Sequence, residues 1–168
     1  MQVVIRALEP SELAAVEQAL TDGPFDKHRE RLQRQQRGEV VYLIAWSSGL
    51  PVGHALLKWG GATEPYLLSH FQGTCPDVED LLVAKALRSQ GIGTQLLAAA
   101  ETLVADRGYT RIGLGVDVRN PRARALYERL GYLDAGLGVH REEYSYVDSQ
   151  GRTQGWDEIL AYLVKPLA

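Results

Sequence analysis

Among its 168 residues the chain has one cysteine, Cys75, one methionine and two phenylalanines. A single cysteine excludes an internal disulfide, and its four histidines are too scattered to suggest a metal-ligand cluster. No uninterrupted run of about 20 apolar residues is available to cross a bilayer. The start, MQVVIRALEPSEL, has Arg6 and Glu9 where a secretory leader would place its apolar core. A reducing, cytoplasmic setting with no membrane partner is therefore the expectation. Positive charge is not in excess either. The 18 Lys plus Arg stand against 21 Asp plus Glu, a formal net charge of -3, so no broad basic surface is offered to nucleic acid. Neither G-x-x-x-x-G-K-S/T nor G-x-G-x-x-G occurs, which disfavours two common nucleotide loops.

What remains, 45% hydrophobic and 23% charged, describes an ordinary globular chain long enough for one domain spanning residues 1–168. Val3 to Leu8 predicts a strand, and PSELAAVEQAL a helix with Ser11 as its N-cap. Asp26 to Arg37 holds five Lys or Arg, two acids and Leu32 as sole aliphatic anchor. Such a helix cannot be deeply buried; it is either a solvated face or a wall over a ligand site. VVYLIAW and VGHALLKW read as a hairpin through SSGLP, and GGATEPYLLSHFQGTCP as a connection holding a surface loop or a short edge strand. DVEDLLVA is a strand. Thr94 to Asp106 is the strongest helix, with a core stripe of Leu96, Leu97, Ala100, Leu103 and Val104 and a stop at Gly108. TRIGLGVDV predicts a strand, and NPRARALYERLGY a helix from Pro121 to Gly131. REEYSYV and DEILAYLVKPL are strands around DSQGRTQGW. This order predicts an α/β fold of three layers around a mixed sheet.

The stretch LRSQGIGTQLLAA sets Arg88, Gly91 and Gly93 at the mouth of the strongest helix. The glycines either shape a tight turn or let a phosphate approach bare amides at the positive end of the helix dipole, with Arg88 adding a charge-assisted bond.

RSQGIG, Arg88 to Gly93, resembles the Q/R-x-x-G-x-G/A coenzyme A loop of the GNAT superfamily of acyl-CoA-dependent N-acetyltransferases. VDVRNPRARALYERLGY, Val116 to Tyr132, is similar to that family's second signature. The resemblance is sharp from about residue 78 to 132 and implies a GNAT-like three-layer fold with a mixed, mostly antiparallel central sheet flanked by helices. It implies transfer of an acetyl group from acetyl-CoA to a primary amine by direct attack in a ternary complex, with no metal. Coenzyme binding falls by the same resemblance to Arg88 and Ser89 and to Gln90, Gly91, Ile92, Gly93 and Thr94, whose amides would hold the pyrophosphate. Leu81, Leu82 and Val83 would hold the pantetheine arm through their backbones, with Asn120, Arg122 and Tyr127 nearby. Asn120 before Pro121 also reads as a helix cap, and Arg122 and Arg124, offered to the adenosine phosphate, also read as exposed helix surface.

An ammonium with a pKa near 10.4 must lose its proton before attack. Glu79 is the base that the resemblance favours; Asp80 competes for the role, because a bulge reverses strand alternation. Tyr127 is the implied acid for the leaving thiolate, although its position also suits core packing, and the backbone amide near Leu82 is offered to the developing oxyanion. Cys75 is read as a small buried residue. Acceptor choice falls to Pro24–Arg37, Gly60–Thr74, Asp134–His140 and Ser149–Trp156, with Phe25, Trp59, Tyr66, Phe71 and Trp156 available to shape a pocket. The basic stretch Lys27 to Arg37 counts against a polycation unless acids such as Glu142 and Glu143 balance it. The expected partner is a small-molecule amine. The alternatives are a protein or peptide amine, or a non-catalytic acyl-CoA-binding regulator. A homodimer is compatible with the fold.

Overall fold

A computed structural model describes residues 1–168. The strands are β1 (Val4–Ala7), β2 (Val40–Ser47), β3 (Leu50–Lys58), β4 (Asp77–Val83), β5 (Arg111–Asp117), β6 (Leu133–Val147) and β7 (Thr153–Pro166); the helices are α1 (Leu13–Ala19), α2 (Lys27–Gln36), α3 (Pro65–Phe71), α4 (Ile92–Asp106) and α5 (Pro121–Arg129). All seven strands form one sheet in the order β1-β2-β3-β4-β5-β7-β6, antiparallel throughout except for β4 beside β5. The expected mixed, mostly antiparallel sheet between helical layers is what forms.

Strand alternation divides the core between the two faces. On β2, Leu43 and Ala45 pack with Leu96, Leu97, Ala100 and Val104 of α4. Their neighbours Tyr42 and Ile44 turn the other way, onto Val16 and Leu20 of the α1 segment and Leu32 of α2. A third cluster joins Leu67 and Phe71 of α3 to Cys75 and Tyr162, so Cys75 is the buried small residue expected of it.

Three local expectations need correction. Ser11 caps nothing: a short turn over Pro10–Glu12 precedes α1, and the Glu9 amide donates to the Glu12 carboxylate at 3.0 Å. The 60–76 connection carries α3 rather than a loop or edge strand, because Leu67 and Phe71, one helical turn apart, find a partner in Tyr162. Asp134–His140, which with Ser149–Trp156 reads in the sequence as a late loop, is the first half of β6, bulged between Asp134 and Val139 where Gly136 and Gly138 take positive φ.

Gly113 on β5 has a neighbour it cannot yield to, since a Cβ there would fall onto the ring and hydroxyl of Tyr162. Gly113→Ala is expected to cost about 1–3 kcal/mol by overpacking. A Cβ at Gly115 meets only the Leu160 side chain, at 3.3 Å, and Gly115→Ala should cost less than half as much. Urea unfolding of the two variants checks the ranking; equal costs would contradict it.

Candidate active site

β4 and β5 run side by side only at Asp77 with Gly113 and Val78 with Leu114, then diverge. Beyond Val78 the β5-facing edge of β4 is free, and a cleft opens through the middle of the sheet. On its other edge β4 pairs with β3, with a shift of register between His54 and Leu56 and Asp80 at φ +53. This bulge places both Glu79 and Asp80 on the α2 face, while Leu81 and Val83 pack toward α4. The Ala84 amide donates to the Val52 carbonyl at 2.8 Å, and Leu82 lies opposite His54, so the Leu82 main chain is engaged with β3. Its amide is thus not offered to the cleft; the cleft-facing groups of that strand end belong to Leu81 and Val83. Arg88 Nε already donates to the Val83 carbonyl at 3.0 Å.

At the far end of the cleft α4 begins at Ile92, with Gly91 before it at φ +84 and nothing within 4 Å of where its Cβ would stand. The first amide of this stretch with a partner in the helix is Gln95, which donates to the Gly91 carbonyl at 3.1 Å. The amides from Ser89 to Thr94 have no acceptor within the chain, so six donors lie at the positive end of a 15-residue helix. Arg122 on α5 reaches Ser89 Oγ and closes the side of this loop. Asn120 caps α5, its side chain accepting from the Ala123 amide at 3.1 Å.

On the α2–α3 face the cleft widens into a cavity of about 880 Å3. Asp77 and Glu79, two residues apart on β4, share its wall. Lys58 Nζ lies between them, 3.6 Å from Asp77 and 3.4 Å from Glu79. The Glu79 side chain is 51% exposed; that of Asp77 is 7% exposed and accepts from the Tyr162 hydroxyl at 2.8 Å. Burial pushes the Asp77 carboxyl up to about 7, with the Glu79 charge adding to the rise and Lys58 and Tyr162 restraining it. Asp77 was not singled out from sequence. The signal was available as acidic residues at i and i+2, Asp77 and Glu79, at the start of a strand that ends in Leu81, Leu82 and Val83.

Asp80 is differently placed. Arg31 Nη2 lies 2.9 Å and Lys27 Nζ 3.3 Å from its Oδ2, and His54 Nδ1 donates to its carbonyl at 3.0 Å. Burial opposes the Asp80 charge, yet its neighbours, Arg31 foremost, hold the carboxyl well below the usual range. An acid so firmly ionised has little affinity for a proton. Burial lowers Lys27 and His54, and Arg31 Nη1 and His54 Nε2 are buried without partners. The polar helix α2 therefore buries one face, Lys27, His28 and Leu32 among it, and forms the cavity wall. His28 is part of the same packing: its Nε2 donates to the Leu20 carbonyl and its Nδ1 accepts from the Tyr42 hydroxyl, both at 2.6 Å.

Not every expected residue reaches this cavity. Tyr127 is half-buried on the α4 side, its ring 6.2 Å from that of Tyr132, and does not line the wall carrying Glu79. Trp59 stacks on Tyr109 under Arg107, and Phe71 belongs to the core with Tyr162; neither shapes the pocket, whereas Tyr66 and Trp156 do. Of the four segments assigned to acceptor choice, 24–37 and 60–74 contribute, but 134–140 does not, and 149–156 supplies only Trp156. Tyr144 and Glu158, on the strands that cover the cavity, were missed.

Comparison with known proteins agrees with this fold. The mycothiol acetyltransferase of Clavibacter sepedonicus is 38% identical over 86 residues, which cover 51% of this chain and 24% of that protein. Thus the aligned region spans only about a quarter of that relative. The crystal structure of an N-acetyltransferase from Staphylococcus aureus Mu50 superposes with a TM-score of 0.71 at 19% identity, covering 100% of both chains. That of the PaiA N-acetyltransferase of Thermoplasma acidophilum in complex with coenzyme A gives 0.66 at 15% identity, covering 99% of both. These structures share the fold. The profile of the acetyltransferase (GNAT) family matches residues 7–132, three quarters of the sequence, with β4, β5 and the glycine loop among them, and the chain belongs to that family.

Proposed function

We propose that this protein transfers the acetyl group of acetyl-CoA to the primary amine of a small molecule by direct attack while both are bound. The observation that carries this reading is the divergence of β4 from β5, which joins a row of free amides on the α4 side to a carboxylate-bearing cavity on the α2 side. The loop fits a pyrophosphate because its donors are unspent and Gly91 leaves their approach open. The cleft edge at Leu81 and Val83 offers backbone groups to an extended pantetheine arm. Bound there, acetyl-CoA supplies an activated acyl group.

The protein's own residues do the remaining work. Asp77, poised near neutrality, takes the proton that the ammonium must lose, and Glu79 holds the entering cation at the more exposed end of the pair. Tyr127, whose phenol burial keeps protonated, is the proposed donor to the departing thiolate. A protein with the same loop and no acceptor-dependent thiol release would instead be a coenzyme-binding regulator.

Calorimetry with coenzyme A and a thiol-release assay test the reading. Gly91→Ala with Gly93→Ala should weaken coenzyme binding at least about tenfold, both by crowding the cradle and by straining a left-handed residue. Unchanged affinity in a folded double variant would remove the loop from coenzyme binding.

A further inference from the structure

The antiparallel register of β6 and β7 sets Glu143 opposite Asp157 and, one position on, Glu142 opposite Glu158. Like charges directly opposite one another destabilise a strand pair. On the outer face the repulsion is relieved: Arg141 Nη2 lies 3.3 Å from Glu143 and 3.4 Å from Asp157, and Arg119 reaches Asp157 at 3.4 Å. The inner pair, which faces the cavity, has no such clamp. Glu142 accepts from His140 Nε2 at 2.7 Å, and no cationic side chain lies within 4.0 Å of Glu158.

The rest of the cavity does not correct the imbalance. Seven carboxylates line it against three cationic side chains. Lys27 and Arg31 are taken up by Asp80, and Lys58 by Asp77 and Glu79. Glu64, which also lines the cavity just before α3, has no ion-pair partner. The other arginines of the Lys27 to Arg37 stretch, which counted against a cationic acceptor in the sequence, are paired elsewhere: Arg29 with Glu17, Arg34 with Glu30 and Glu39, and Arg37 with Glu39. Beside the Glu142–Glu158 pair the next inner pair is Tyr144 opposite Trp156, two aromatic side chains that also line the cavity, of the type whose ring faces hold an ammonium.

We propose that the Glu142–Glu158 pair, with Tyr144 and Trp156, binds a second positive charge on the acceptor, making the substrate a compact diamine or polyamine. The inference rests on the reading of this cavity as the acceptor site. The two glutamates hold the distal ammonium while the reacting amine lies at Asp77 and Glu79. A monoamine leaves the cross-strand repulsion unrelieved, and an acceptor with a carboxylate at its far end adds to it.

Three probes of equal chain length separate these cases: 1,4-diaminobutane, butan-1-amine and 4-aminobutanoate. Each is titrated calorimetrically into the protein saturated with coenzyme A, and each is offered with acetyl-CoA in the thiol-release assay. The diamine should bind at least about tenfold more tightly than the monoamine, the scale of one charge-assisted contact, and 4-aminobutanoate most weakly. In Glu142→Gln/Glu158→Gln the melting temperature without ligand should rise as the repulsion is removed, and the diamine preference should fall below about threefold. Equal binding of diamine and monoamine, no binding of either, tighter binding of 4-aminobutanoate, or a preference that survives in the double variant would each overturn the proposal. So would a peptide amine that outcompetes the diamine in the assay. The two readings fail separately. Selective diamine binding without thiol release removes the transfer reaction alone, and equal acetylation of butan-1-amine and the diamine removes the charge-selective site alone.

Discussion

Asp77→Asn is expected to lower kcat by about two to three orders of magnitude at pH 8 and to abolish the rise of activity through pH 7. The carboxyl of Asp77 is raised to about 7 chiefly by burial, so it acts as a base only above that pH. The wild-type rate should therefore climb across neutrality. Glu79→Gln should keep that limb and move it to lower pH, because the Glu79 charge is one of the causes that raise Asp77. A limb that persists in Asp77→Asn and disappears in Glu79→Gln would return the role to Glu79. Stability supplies an independent check. A folded pKa above the unfolded one means that the contribution of Asp77 to stability is complete below the ordinary carboxylate value and lost as pH rises through about 7. Asp77→Asn should thus gain on the wild type between pH 5 and pH 9, on the order of 2–4 kcal/mol. Urea unfolding across that range measures it, and a constant difference would contradict the assignment.

Features written in local sequence were legible. The stripe of α4 is set by helical spacing, the hairpin of β2 and β3 by two apolar runs around a turn, and the glycine loop and Asn120 cap by residues whose backbone roles are nearly fixed by type. What escaped was set by distant partners. The helix α3 has only seven residues, and its two core positions acquire meaning through Tyr162, far along the chain. For α2 the sequence left a solvated face and a cavity wall both open, because the acid that neutralises Lys27 and Arg31 and lets that face be buried lies on β4. The bulge that kept Asp80 in competition with Glu79 is present and puts both on one face, so the charges around them, not their direction, separate their chemistry. The cross-strand glutamates needed the register of β6 and β7, which no single segment specifies.

Asp80→Ala should destabilise the protein by about 3–5 kcal/mol, because it strands Lys27 and Arg31 in a wall from which water is largely excluded. Their side chains are only 5% and 11% exposed, and one Arg31 nitrogen already lacks a partner. Asp80→Asn separates charge from backbone, since asparagine tolerates φ +53 better than alanine does and still cannot neutralise two cations. It should recover no more than about 1–2 kcal/mol, the cost of a left-handed residue. Adding Lys27→Met and Arg31→Met to Asp80→Asn should restore most of the loss, as removal of a whole buried charge cluster commonly does. The pH dependence runs opposite to that of Asp77. A carboxyl held below its unfolded value contributes fully above about pH 4 and less as pH falls toward its folded pKa, so the gap between wild type and Asp80→Asn should close in acid. Thermal melts from pH 7 down to pH 2 follow this directly. A gap that stays the same over the whole range would mean that Asp80 holds the bulge by shape alone and that α2 is docked by something other than charge.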